Sequence, residues 1–318
     1  MCGWKIYQLL VSMEEKKTIV GLLGYPVEHS LSPAMHNAAF QYCKMNWEYR
    51  LFSRTKDELK DFIKEVKDNN YRGFNVTIPY KQEIMKYLDQ LRPAAKRIGA
   101  VNTVINNSGR LEGTNTDYIG FGIDLKNKLD FDPGQDKKVL LLGAGGAARA
   151  VVEELTDKFY SEGETFQAMN EWKKKPKWSG EQPDIYIYDI DQDKADKIIK
   201  DFGEKSVEII FTKKEEITDK LKDADLLVNA APVGMKEGDS IVFSLKGKEY
   251  KKTLKIYDLV YNRKTDLIIE AEESGLKASG GIGMLLEQGA KAWEIWTGER
   301  APREVMEKAL KEKLNIKE

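Results

Sequence analysis

The chain has 318 residues, 41% of them apolar, which is enough for two domains of about 150 residues and too apolar for wholesale disorder. Its 51 basic and 52 acidic residues leave a net charge of -1, so no overall field draws it toward nucleic acid or an anionic membrane, and any anionic ligand must be held locally. Two cysteines, Cys2 and Cys43, and two histidines, His29 and His36, exclude a disulfide framework, a thiolate zinc cage and any histidine-based triad or metal cluster in the C-terminal half.

Residues 1–17 carry one short apolar run, 6–11, with no basic cluster before it and no small-residue cleavage pattern after it. They read as an unstructured extension, or as a start-site artefact with Met13 as the true beginning. No run reaches the ~18 apolar residues of a membrane span, so a soluble cytoplasmic protein is expected. Residues 18–24 form an apolar strand, and Ser32-Pro33 read as N-cap and first position of a helix to about Cys43. A strand at 47–52 precedes a helix at 56–69 with Leu59, Phe62, Ile63 and Val66 on one face. A strand at 73–78 stops at Pro79, 81–88 is helical, and 101–106 with Leu111 flank Ser108-Gly109 as a hairpin. The first half is thus strand-helix-strand-helix with mixed pairing.

After the turn Asp132-Pro133-Gly134, residues 138–142 are apolar enough to be covered on both faces, and a second unit begins. Later strands at 185–188, 207–211, 225–229 and 255–260 alternate with helices in the rhythm of a doubly wound sheet. Residues 161–184 interrupt it with charge, Trp172, Trp178, Pro176 and Pro183 but no period, and read as an inserted surface excursion. A long helix at 282–296 and an amphipathic helix at 302–314 close the chain. The fold class is α/β: an N-terminal α/β domain (1–118, rejoined by 284–318) and a Rossmann-type dinucleotide-binding domain (119–283).

The strand at 138–142 runs directly into Gly143-Ala144-Gly145-Gly146-Ala147-Ala148 and then a helix, which is the context a G-x-G-x-x-A fingerprint requires. Gly143 allows the tight turn, Gly145 lets the backbone approach a pyrophosphate, and Ala148 permits close helix–strand packing. Free N–H groups around Gly146 and Ala147 then face the anion. Asp189 ends the next strand, where a carboxylate binds a ribose 2′-hydroxyl and repels a 2′-phosphate. The insert accounts for its long distance from the glycines. Asp189 favours NAD over NADP.

Several segments are rich in small polar groups where a plain core would not place them. They are His29-Ser30-Leu31-Ser32-Pro33-Ala34-Met35-His36-Asn37, Phe74-Asn75-Val76-Thr77-Ile78-Pro79-Tyr80-Lys81, and Gly99-Ala100-Val101-Asn102-Thr103 with Gly113-Thr114-Asn115-Thr116-Asp117. With the glycine loop, Asp258-Leu259-Val260-Tyr261 and the stretch from Gly281 through Gln288, they resemble the shikimate/quinate dehydrogenase family in matching order over 18–298. The resemblance implies reversible reduction of the ring ketone of 3-dehydroshikimate to the hydroxyl of shikimate, with hydride from a nicotinamide. It makes the first domain the substrate domain. Lys81 and Asp117 match the family's catalytic positions. Hydride arriving at a ketone leaves an alkoxide that needs a proton, and a water-exposed lysine is a poor base at neutral pH, so closure around the pair is required.

Ser30 and Ser32 match the positions that hold the substrate carboxylate. Asn75, Thr77, Asn102 and Gln288 match those that hold ring hydroxyls and the carboxylate, and Tyr261 adds a phenol. Leu259 and Gly281 fall on the cofactor side, His29 and His36 read as structural, and no metal is implied. Three departures stand out: Ala231 where the family commonly has threonine, no proline after Tyr261-Asn262, and Asp189 in place of the Asn-Arg-Thr clamp of NADP users. The rivals are a quinate or dual-specificity dehydrogenase, and a non-catalytic ligand-binding regulator on the same scaffold. With no basic arm, the expected partners are small molecules only, in a monomer or homodimer.

Overall fold

The computed structural model describes residues 16–134, 136–156, 182–203, 208–236, 238–239 and 243–316. The expected N-terminal extension to residue 15, and the expected insert up to residue 181, lie outside the described residues.

The first sheet takes β1 (Thr18–Gly24), β2 (Trp47–Ser53), β3 (Gly73–Val76), β4 (Gln90–Leu91), β5 (Thr103–Asn107) and β6 (Arg110–Thr114) in the order β2-β1-β3-β5-β6-β4. Pairing is parallel for β1 with β2 and β3, and antiparallel for β5 with β3 and β6, so the mixed character read from the sequence holds. The period of two along β1 divides its side chains: Ile19 and Leu23 pack with Phe62 and Val66 of α2 (Leu59–Asp68), and Val20 and Leu22 face the other way. That second face is covered by α1 (Ser32–Tyr42), with Met35 and Phe40, and by the C-terminal helices through Trp293, Trp296 and Met306. The chain end therefore returns to the first sheet.

The second sheet is parallel throughout, with β7 (Lys138–Leu142), β8 (Asp184–Tyr188), β9 (Ile209–Phe211), β10 (Leu226–Asn229), β11 (Lys255–Asp258) and β12 (Lys277–Gly280) in the order β9-β8-β7-β10-β11-β12. Val139 and Leu141 enter one core and Leu140 and Leu142 the opposite one, so β7 is covered on both faces as expected. The strand order reverses between β7 and β10. In such a sheet ligands bind in the crevice beyond the carboxyl ends at that point.

Two helices join the halves. The helix of Asp117–Leu129, α4 after α3 (Pro93–Ile98), lies along the long helix Ile282–Thr297, α9 after α5 (Gly146–Thr156), α6 (Gln192–Phe202), α7 (Ile217–Asp223) and α8 (Asp266–Glu273). A Cβ on Gly120 would sit 2.8 Å from both the Gln288 nitrogen and the Met284 carbonyl oxygen, so glycine is what lets α4 approach α9. Phe121, Leu125 and Met284 enter the second core, while Trp293 and Trp296 enter the first. A final helix, α10 (Arg303–Lys313), is tied back by Arg303, whose Nε is 3.0 Å from Glu287 and whose Nη1 is 2.8 Å from Glu294. Among the described residues no helix is long and apolar enough to cross a membrane.

Some local expectations shift. Ser32 is the first helical residue rather than the N-cap. Leu31 occupies the cap, and the Ser30 hydroxyl oxygen accepts the Ser32 N–H at 3.2 Å. Residues 81–88 contain only the 3₁₀ stretch Glu83–Tyr87, because the Lys81 carbonyl accepts the Val101 N–H at 2.7 Å and is withdrawn from a helical ladder. The strands β4 and β12 gave no periodic signal, one being two residues long and the other small and polar.

Candidate active site

Lys81 follows the turn after β3 and Asp117 is the first residue of α4, yet their charged atoms meet: Nζ lies 2.6 Å from Oδ2, with the side chains 16% and 7% exposed. Asp117 is held from two further directions. Its N–H reaches Asn115 Oδ1 at 2.9 Å, and its Oδ1 accepts from Asn102 Nδ2 at 2.8 Å. Asn102 Nδ2 also faces Thr116 Oγ1 at 2.9 Å and Gln288 Oε1 at 3.3 Å. Its Oδ1 accepts from the Thr116 N–H at 2.7 Å and from Thr103 Oγ1 at 2.9 Å. Every polar atom of this amide is engaged within the protein, so Asn102 orients Asp117. Gln288 is anchored by its own donation to the Leu285 carbonyl at 2.9 Å.

Asn75 is buried beside this group and gives both amide hydrogens away, to the Asn102 carbonyl at 3.1 Å and to Thr103 Oγ1 at 3.0 Å. Its Oδ1 accepts from the Tyr49 hydroxyl at 2.8 Å. Tyr261 is half-buried against the first core, and burial raises its pKa. Ser30 and Thr77 remain partly open, and Thr77 packs its methyl next to Gly24. His36 is fully buried and stacks on Tyr49 at 4.4 Å; burial holds it neutral, with a pKa near 3, in keeping with a structural role.

The glycine loop lies at the reversal point of the second sheet. Gly143 has φ +106, donates its N–H to the Tyr188 carbonyl at 2.7 Å, and leaves no room for a Cβ, which would be 2.8 Å from Ala231 N. A Cβ on Gly145 would meet nothing within 4 Å, so open space lies where a pyrophosphate must approach, ahead of α5. These residues fit a dinucleotide. The Asp189 carboxylate is fixed at the edge of the loop, accepting from the Ala144 N–H at 2.7 Å and the Asp191 N–H at 2.9 Å. Across the crevice a Cβ on Gly281 would overlap the Leu259 carbonyl, and Leu259 donates its N–H to Asn229 at 2.9 Å. Asp258 staples these loops, with Oδ1 accepting from Asn229 Nδ2 at 2.9 Å and Oδ2 from Thr265 Oγ1 at 2.6 Å. Its burial raises its pKa.

The halves meet at the lysine. The Cβ position of Gly146 is 3.2 Å from Lys81 Cβ and 3.3 Å from Lys81 Cδ, so the nucleotide loop rests on the stem of Lys81. Arg97 and Glu153 pair beside it at 2.6 Å, and Arg149, just beyond the fingerprint, donates to the Ile98 carbonyl and pairs with Asp201 at 2.5 Å.

The N-terminal region matches the Shikimate dehydrogenase substrate binding domain over residues 22–104, and residues 281–311 match the Shikimate 5'-dehydrogenase C-terminal domain. A shikimate dehydrogenase (NADP(+)) of Methanopyrus kandleri is 41% identical over 308 residues, covering 96% of this chain and 98% of that protein. The chain belongs to the shikimate dehydrogenase family. Among solved members, a shikimate dehydrogenase in complex with NADP+ superposes with a TM-score of 0.78 at 35% identity, over 94% of this chain and 96% of that one. Shikimate 5-dehydrogenase from Listeria monocytogenes, in complex with shikimate and NAD, gives 0.76 at 33% identity over 92% and 96%. The fold read from the sequence is thus that of the family.

Sequence reasoning missed Tyr49, Thr103 and Thr116 as parts of the site. Tyr49 looks like an ordinary strand aromatic, and the two threonines lie inside motifs that drew attention to their neighbours. It also missed the contact of Gly146 with Lys81, which joins residues 65 positions apart and leaves no trace in spacing.

Proposed function

We propose that this chain catalyses the reversible, nicotinamide-dependent interconversion of 3-dehydroshikimate and shikimate, with Lys81 and Asp117 as the proton-handling pair. The observation that carries this reading is the Lys81–Asp117 contact of 2.6 Å lying directly against the glycine loop through Gly146. A bound nicotinamide supplies or accepts the hydride. Lys81 Nζ delivers a proton to the ring oxygen in the reduction and recovers it in the reverse direction, while Asp117 holds the ammonium in place and accepts from the ring hydroxyl. Ser30 and Ser32 give neutral hydrogen bonds to the substrate carboxylate. Asn75, Thr77, Gln288 and Tyr261 surround the ring, because each buried hydroxyl left unpaired costs about 1–3 kcal/mol.

The domains on this reading are 1–118 with 284–318 for substrate and 119–283 for the dinucleotide, which docks on Gly143 to Ala147, Leu259 and Gly281. Closing the halves removes water from Lys81 and aligns the reacting groups. A reducing cytoplasm suits a chain with two cysteines. NAD is the preferred dinucleotide, since Asp189 brings a fixed negative charge to the ribose edge, although the Methanopyrus relative is named for NADP(+). Absorbance at 340 nm with shikimate or quinate crossed against NAD or NADP tests all three choices. No turnover of shikimate with either dinucleotide would defeat the assignment, and faster turnover with NADP would defeat the role of Asp189.

A further inference from the structure

The helix that opens on the glycine loop presses its opening turns against the first half of the chain. Ala150 of α5 shares a small buried cluster with Ala94 and Ile98 of α3 and with Tyr118 and Ile119 of α4, while Val151, Val152 and Leu155 enter the core of the second sheet. Arg149 and Glu153 lie four residues apart, one above the other on α5, and both reach α3. The Glu153 carboxylate takes Arg97 Nε at 2.6 Å, and Arg149 Nε donates to the Ile98 carbonyl.

The Arg149 side chain is 3% exposed and is held on every side. Its Nη2 pairs with Asp201 Oδ2 of α6 at 2.5 Å, and its guanidinium carbon lies 5.3 Å from the centre of the Phe202 ring. The carbonyl it takes ends α3, where the helix leaves its oxygens without intrahelical donors. The next residue, Gly99, has φ +66, and a Cβ there would be 2.7 Å from Arg149 Nη2. The guanidinium therefore packs directly on the start of residues 99–102.

That segment carries the supports of the proton-handling pair. The Val101 N–H holds the Lys81 carbonyl at 2.7 Å, the Ala100 carbonyl accepts from Asn115 Nδ2 at 3.0 Å, and Asn102 Nδ2 donates to Asp117 Oδ1 at 2.8 Å. At its backbone end, the Arg149 N–H donates to the Gly145 carbonyl at 3.1 Å, inside the turn left open for a pyrophosphate. One residue thus touches both the dinucleotide turn and the segment on which Lys81 and Asp117 are seated.

We propose that Arg149 is a positioning residue: by joining the dinucleotide turn to residues 98–102, it sets Lys81 and Asp117 relative to the bound nicotinamide and makes each ligand favour the other. The proposal rests on the assignment of the glycine loop to the dinucleotide and of Lys81 and Asp117 to the proton step. Linkage of this kind is reciprocal, so it is read equally from either ligand.

Arg149→Met keeps most of the stem and removes the side-chain donors. In calorimetry on the parent, saturating NADH or NADPH, which cannot react with shikimate, tightens shikimate binding by about fivefold or more. In Arg149→Met that factor drops below about twofold, while the Kd of each ligand alone stays within about twofold of the parent. At saturating dinucleotide the KM for shikimate rises by the lost factor, and kcat falls about tenfold because the reacting groups are misplaced. Arg149→Lys, which serves one partner at a time, recovers part of the loss. A merely structural role would reduce the fraction of binding-competent enzyme, leave the linkage factor and the kcat per competent site unchanged, and overturn the proposal. A parent that binds shikimate equally well with and without the dinucleotide would overturn it too. Should Arg149→Met fold poorly, Asp201→Asn at the partly exposed end of the ion pair decides: a reduced linkage factor supports the proposal and a factor equal to the parent's refutes it. A parent that turns over no shikimate would instead remove the functional reading, and the proposal with it.

Discussion

Replacing Lys81 by methionine removes the ammonium while keeping the stem on which Gly146 rests. The ion pair is 2.6 Å long and its side chains are 16% and 7% exposed, so water is a poor replacement for the lost donor. Positioned acid–base groups contribute about 10²–10⁴ in rate. At ~1.36 kcal/mol per tenfold, that is about 2.7–5.4 kcal/mol of barrier, and kcat at 340 nm falls by the corresponding factor. Asp117 keeps its bond from Asn102 at 2.8 Å, so the stability loss stays below the ~3–5 kcal/mol of a wholly orphaned buried charge. The shikimate Kd from calorimetry changes by less than about tenfold, since the serines and ring contacts remain. A variant that folds, binds shikimate and retains kcat within about threefold of the parent would refute the assignment of the proton step to Lys81.

Asp189→Asn keeps an acceptor for the Ala144 N–H and loses the charge, so the ratio of kcat/KM for NAD over NADP falls by about tenfold or more; an unchanged ratio would place cofactor choice elsewhere. Burial raises the Asp124 carboxyl to about 6, against the opposing hydrogen bond from the Tyr257 hydroxyl at 2.6 Å. A raised pKa means the folded state binds the proton more tightly, so this group's contribution is complete below pH ~4, declines as pH rises through about 6, and is gone above it. In urea titrations Asp124→Asn gains on the parent between pH 4.5 and 7.5 by on the order of 2 kcal/mol, and a pH-independent difference would contradict the buried titration. At Gly73 a Cβ would overlap the Val104 carbonyl oxygen and the Trp296 indole nitrogen, which are themselves hydrogen-bonded at 3.0 Å. Gly73→Ala therefore lowers stability by about 1–3 kcal/mol, and a melting temperature equal to the parent's would show that α9 yields there.

Much of the architecture was legible because strong local patterns agree with the final packing. The run at 138–142 has no polar member among its last four residues, and Val139 through Leu142 are all buried. The helix around Phe62, Ile63 and Val66 shows its apolar stripe directly. Boundaries failed where a distant partner competes with the local pattern, as when the Val101 N–H takes the Lys81 carbonyl and shortens the next helix. The capping of α1 failed for a related reason, since Ser30 supplies the turn bond that Ser32 was expected to make.

For the site, the resemblance to the shikimate/quinate dehydrogenase family marked out Lys81, Asp117 and the two serines, while the strand, glycine turn and helix in sequence, with an acid ending the next strand, marked out the glycine loop and Asp189. The sequence by itself also settled the two-part α/β organisation, since hydrophobic period and glycine placement are local properties. Only the tertiary structure decided that Asn102 spends its whole amide on Thr103, Thr116, Asp117 and Gln288, that the Tyr49 hydroxyl belongs with Asn75, and that Gly146 leans on Lys81. Hydrogen-bond partnership and close approach are set by where separate elements are carried by the packing of β1, α4 and α9, and no spacing along the chain encodes that.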